Sequence, residues 1–158
     1  MSRRNVAVKR PLVPDSKYGS VVLGKFINAV MISGKKSLAR DIVYSAFARV
    51  EKKYSLDPKG IFDKAVENVQ PAIEVKSVRV GGANYQVPSP VSEERGRTIA
   101  NRWILDAARK RSGRSMEEKL ADEFFDAANG RGGAIKKKDD TRKMAESNRA
   151  FSHFAQNR

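Results

Sequence analysis

Apolar residues recur three and four positions apart along most of the chain, the spacing of helices that bury one face. Leu23, Ile27, Val30 and Met31 make one stripe after the loop Pro11–Tyr18, ending at Gly34, and Leu38, Ile42, Ala46 and Val50 make a second. Asp57 before Pro58 is an N-cap with proline at the first helical position; Ile61, Ala65, Val66 and Val69 then form a third stripe that Pro71 stops. From residue 73 the period changes to two. Ile73–Val80, the pair Gly81-Gly82 and Ala83–Pro88 predict a β-hairpin, with Val78 opposite Tyr85 and Val80 opposite Ala83 on one face, and Arg79 opposite Asn84 and Ser77 opposite Gln86 on the other. Two strands alone are marginal in water, so this arm is expected to lean on helices at its base and on a partner at its tip.

Helical spacing then returns. Pro88 and Pro90 close the arm, and Ser92 with Glu93 and Glu94 predicts a cap and acidic first turn for a fourth helix reaching Arg111. Ser115-Met116-Glu117-Glu118 reads as a capping box and Asn129-Gly130 as a stop, bracketing a fifth helix with Met116, Leu120 and Phe124 inward. Gly130-Arg131-Gly132-Gly133 predicts a flexible joint before a sixth helix from Ala134 to Ala150. The expected fold is mainly α: a six-helix bundle with a protruding β-hairpin arm. All 158 residues make one domain, with a basic extension at 1–17, the arm at 73–88 and a tail at 151–158.

Charge adds direction to this outline. The chain carries 32 Lys and Arg against 18 Asp and Glu, a net +14, which attracts polyanions. Residues 1–17 hold +4, 18–73 hold +4, 74–114 hold +5 and 131–158 hold +5, whereas 115–130 hold −4. The fifth helix is therefore expected to face away from a polyanion or toward a basic neighbour. Arg95, Arg102 and Arg109, seven apart, line one face of the fourth helix, with Ile99, Trp103, Ile104 and Ala107 roughly opposite. Leu105 falls off that apolar side, and Asp106 is placed to brace Arg102. Further cations cluster at Arg3, Arg4, Lys9 and Arg10, at Lys35 and Lys36, at Lys76 and Arg79 on the arm, and at Lys136, Lys137, Lys138, Arg142 and Lys143. Together they point to nucleic acid.

Catalytic chemistry finds little footing. There is no cysteine, and His153 is the one imidazole, so neither a thiol nucleophile nor a thiolate or multi-histidine metal site can form. The spacing Gly19-x4-Gly24-Lys25 resembles a phosphate loop, but Phe26 stands where a magnesium-holding Ser or Thr is needed, and Val21, Val22 and Leu23 suit a helix. Glu93-Glu94, Glu117-Glu118 and Asp139-Asp140 sit at or near predicted helix starts, where acids favour the helix dipole. No enzyme, cofactor or metal is expected. No apolar signal segment follows Met1-Ser2-Arg3-Arg4, and no run approaches the ~20 apolar residues of a membrane span, which predicts a soluble cytoplasmic protein. Phe26, Phe47, Phe62 and Phe124 fall on helical stripes and read as core, leaving Tyr85 as the aromatic near the arm tip. An architectural or helix-turn-helix DNA-binding protein is the alternative reading.

The chain resembles the bacterial small-subunit ribosomal protein seven family. The resemblance runs through Pro14–Gly19, Gly34–Ser37 with Ile42–Tyr44, Val66–Pro71, Ile73–Gly82, Tyr85–Pro88, Arg102–Ile104, Ala107–Arg111, Lys119–Ala121 and Met144–Phe154. It implies a helical bundle with a hairpin arm, a primary binder of 16S rRNA that nucleates assembly of the head of the small subunit, and a place near the exit-site tRNA and the mRNA path. Proteins nine and eleven of the small subunit are the implied neighbours. Carried over residue by residue, the rRNA-facing candidates are Arg3, Arg4, Lys9, Arg10, Lys35, Lys36, Lys76, Arg79, Arg95, Arg102, Arg109, Lys136, Lys137, Lys138 and Arg142. The arm tip, Gly81, Gly82, Ala83, Asn84 and Tyr85, takes the exit-site tRNA role. One departure is Ser92–Arg97, where Glu93 and Glu94 replace part of the family's basic entry to the fourth helix.

Overall fold

The computed structural model describes residues 11–155, so the candidates Arg3, Arg4, Lys9 and Arg10 lie outside the described residues. Six α-helices and one hairpin follow in order: α1 Val21–Val30, α2 Lys36–Tyr54, α3 Pro58–Val69, β1 Ile73–Val80, β2 Ala83–Pro90, α4 Glu93–Lys110, α5 Met116–Ala128 and α6 Gly133–Ser147. A 3₁₀ helix, Arg149–Ala155, comes last. Asp57 and Ser115 cap their helices as the sequence predicts, and Ser20 supplies a further cap at α1. Ser20 accepts from the Leu23 amide, Asp57 from the Lys59 and Gly60 amides and Ser115 from the Glu118 amide. Ser92 occupies the N-cap position of α4 without a side-chain hydrogen bond, and Glu93 and Glu94 in the first turn favour the helix dipole there.

The core forms where the helical stripes meet. Phe26, Phe47, Phe62 and Phe124 are fully buried, and their rings meet edge-on or tilted with centroids 5.4–5.9 Å apart. These four rings come from α1, α2, α3 and α5, which they lock together. α5 packs against α2, α3 and α4, so the most acidic helix lies at the centre of the bundle. The second stripe holds at Ala46 and Val50 but is displaced by one residue at its start: Ala39 and Val43 are buried there, Ile42 is partly buried, and Leu38 is 54% exposed. Leu105 is buried as well, since α4 is covered on two sides, by α3 and α5 and by α6.

The hairpin has the predicted register, Val78 opposite Tyr85 and Val80 opposite Ala83. Gly81 and Gly82 turn with φ of 58° and 91°, a region that side chains disfavour. Pairing continues past Pro88 to Ile73 opposite Pro90, two residues beyond the predicted end, because each proline sits on an edge strand that needs no outward donor. The arm is held along one face. β1 packs on α6, and β2 packs on the 3₁₀ helix, where the Tyr85 and Phe151 rings lie 5.2 Å apart. The sixth helix thus ends at Ser147, before the predicted Ala150, and residues after it fold back onto the arm.

Candidate nucleic-acid interface

The acids of α5 decide which cations remain available. Glu117 pairs with Arg49 at 3.6 Å and Asp122 with Lys53 at 2.7 Å, so two cations of α2 are held from within the bundle. Glu123 is fully buried: one carboxylate oxygen accepts from Arg111 Nε at 2.5 Å, and the other accepts from the Ala134 amide at 2.9 Å. Arg111 also donates to Asp126. Burial works against the Arg111 charge, but its hydrogen bonds to Asp126 and Glu123 outweigh that and raise its pKa. The basic neighbours of α5 lie within its own chain, on α2 and at Arg111. The glycine joint is corrected, for Glu123 caps the start of α6, and a Cβ on Gly132 would lie 3.0 Å from its carboxylate. This pairing joins residues more than ten positions apart, which local sequence does not display.

A second carboxylate organises the arm root. Glu74, whose side chain is only 14% exposed, accepts from Lys76 at 2.9 Å and from Arg95 at 3.4 Å. The hydrogen bond from Lys76, aided by the charges of Lys76 and Arg95, holds the Glu74 carboxyl below its ordinary pKa despite burial. Two candidate RNA contacts thus share one acid, which fixes their positions and ties β1 to α4. Arg102 makes no ion pair among the described residues. Asp106 turns to Arg109 at 3.9 Å rather than bracing Arg102.

On α6 the cluster divides. Lys136 and Lys137 are exposed and make no ion pair among the described residues. Lys138 instead donates to the Asn68 carbonyl at 2.5 Å, which makes it a fastener between α6 and the end of α3. Arg142 lies 3.9 Å from Glu146. Two grooves meet at half-buried Trp103. One runs between the arm, α4 and α6 past Arg95, Arg102 and Gln86; the other runs between α4 and α6 past Lys110, Lys136 and Lys137. Lys110 and the groove position of Trp103 were not singled out by the sequence. The adjacency of Lys110 to the Arg109 stripe was the available signal for the lysine.

Arg79 and the tip residues Gly81, Gly82, Ala83 and Asn84 are exposed, whereas Tyr85 is half-buried against Phe151. Lys35 and Lys36 lie apart from the two grooves, at the α1–α2 turn, where Lys35 borders a hollow lined by Val30, Ile32, Leu38 and Ile42. The loop before α1 is anchored by Asp15, which accepts from the Lys17 and Tyr18 amides and from the Tyr44 hydroxyl at 2.7 Å. Burial raises the Asp15 pKa, but these donors and the Arg40 charge more than reverse it, leaving the carboxyl lowered overall.

The phosphate-loop spacing resolves into ordinary helix. Val21 to Lys25 belong to α1, and Lys25 bonds Glu94 at 2.8 Å. Glu93 pairs with Arg97, so the two acids at the α4 entry brace neighbouring cations. His153 has a ring nitrogen 3.0 Å from the Ala150 carbonyl, a local tail contact.

The family profile described as ribosomal protein S7p/S5e matches residues 2–149. The chain is 61% identical to the small ribosomal subunit protein uS7 of Rickettsia massiliae over 98% of this chain and 97% of that one. It is 61% identical to the uS7 of Rickettsia bellii over 98% and 95%, and 60% identical to that of Rickettsia felis over 98% of each. A helical bundle with a hairpin arm, matched along almost its whole length by such relatives, belongs to the ribosomal protein S7p/S5e family.

Proposed function

We propose that the chain is a primary 16S rRNA-binding protein that nucleates assembly of the small-subunit head, with its arm directed at the exit-site tRNA and the mRNA path. As a member of its family it is a protein of the small ribosomal subunit, cytoplasmic in bacteria, and not an enzyme. The observation that carries the finer reading is the sorting of charge. Arg49 and Lys53 of α2 are held by α5 acids, while Arg102, Lys136 and Lys137 make no ion pair among the described residues and border the two grooves beside the arm. Unpaired cations on a rigid frame release counterions when phosphates replace them, and the shape of the frame selects which RNA junction is held.

Within this reading Arg102, Lys136 and Lys137 contact phosphate directly. Lys76 and Arg95 do so from positions set by Glu74, Arg79 contacts RNA from the open face of the arm, and Arg109 and Arg142 are loosely braced contributors. Lys35 and Lys36 make a second, separate contact, and Arg3, Arg4, Lys9 and Arg10 extend the surface in sequence. Gly81 to Tyr85 form the tip facing the exit-site tRNA. Small-subunit proteins nine and eleven are the proposed protein neighbours. The test is affinity for the head-domain fragment of 16S rRNA against duplex DNA of equal charge at physiological salt. Strong preference for the rRNA is expected; equal affinity would favour the DNA-binding alternative.

A further inference from the structure

We propose that the groove between the arm, α4 and α6 is a base-stacking site for one unpaired RNA nucleotide, with Trp103 as its platform. The proposal rests on the rRNA-binding reading and adds a recognition element to it. The groove encloses about 330 Å³, within the ~300–1,000 Å³ range of sites that hold small ligands. Its apolar lining comes from Val75, Ile99, Trp103 and Met144. Met144 is 45% exposed, a large apolar side chain left open on a strongly basic chain.

Charge chooses the occupant. Arg102 borders the groove and pairs with no acid among the described residues, while Arg95 beside it is already oriented by Glu74. An apolar side chain from a protein would fill the floor but leave Arg102 uncompensated. A nucleotide satisfies both, with its base on the indole and its phosphate on the guanidinium. The groove also offers amides for a base edge. Gln86 reaches it from the arm; Asn148 has its Nδ2 bonded to the Met144 carbonyl at 2.8 Å, which leaves its Oδ1 to accept from a base amino group. Unpaired bases splayed onto aromatic rings are the usual way proteins read RNA sequence.

Trp103 is the one tryptophan of the chain, so its emission reports the junction of the two grooves, and a phenylalanine variant separates stacking on its ring from phosphate binding in the neighbouring groove. Titrating the full chain with the head-domain fragment of 16S rRNA should quench that emission and shield it from acrylamide, in step with binding measured on filters. Trp103→Ala should weaken binding about tenfold, the scale of one lost base stack, and Trp103→Phe should keep most of the affinity. If the alanine variant fails to fold, the wild-type emission and the phenylalanine variant still decide. Normal filter binding with unchanged emission, or emission that responds only to protein neighbours, overturns the base site and leaves rRNA binding intact. Absence of filter binding by the wild-type chain would instead overturn the underlying reading.

Discussion

Single carboxylates hold this chain in the shape that exposes its cations, and each has a distinct signature. Buried Glu123 satisfies half-buried Arg111 and the Ala134 amide in the first turn of α6 at once, so its removal leaves the guanidinium partly uncompensated and a helix start uncapped. Glu123→Ala should destabilise the fold by about 3–5 kcal/mol, read as a lower denaturant midpoint, with Glu123→Gln losing less. Asp15 has a pH signature. Its folded pKa lies below the unfolded value of about 3.9, so its stabilisation is complete above that value and is lost as pH falls through the lower folded one. Asp15→Asn should therefore lower stability at pH 7 by about 1–2 kcal/mol and flatten the decline below pH ~4, as followed by thermal unfolding across pH.

At the scale of elements, the arm is a strut with one packed and one open face. α6 and the 3₁₀ helix support it through β1 and through Tyr85 on Phe151, and its tip and Arg79 stay exposed. Deleting residues between Lys76 and Gln86 should cost exit-site tRNA retention in reconstituted subunits more than it costs rRNA affinity; the reverse would move the arm's work to the rRNA. The register of this arm was legible because a glycine pair admits few turns and alternation fixes the faces. Helix starts were legible through Asp57 and Ser115. The phase of α2 was legible at Ala46 and Val50 but not in its first turn, because Leu38 is apolar enough to mark a core position while small Ala39 is the residue that is buried. Leu105 escaped for a related reason, since a helix covered on two sides loses its single stripe. Lys138 and Arg111 look in sequence like any other RNA-facing cation. Only the fold brings the Asn68 carbonyl and the α5 acids to them.

For the whole molecule, the net charge of +14 understates how unevenly the available cations are placed. The acidic fifth helix holds Arg49 and Lys53 of α2, and around the two grooves that meet at Trp103 Arg102, Lys136 and Lys137 make no ion pair among the described residues. The salt dependence of affinity for the head-domain fragment of 16S rRNA tests this division most directly, comparing two sets of variants. Arg102→Ala with Lys136→Ala and Lys137→Ala should flatten the slope of log affinity against log salt by about two to three, close to one per lost phosphate contact. Arg49→Ala with Lys53→Ala, which removes cations already held by α5, should leave the slope unchanged. An unchanged slope in the first set, or equal flattening in both, would show that the RNA does not lie against the arm, α4 and α6.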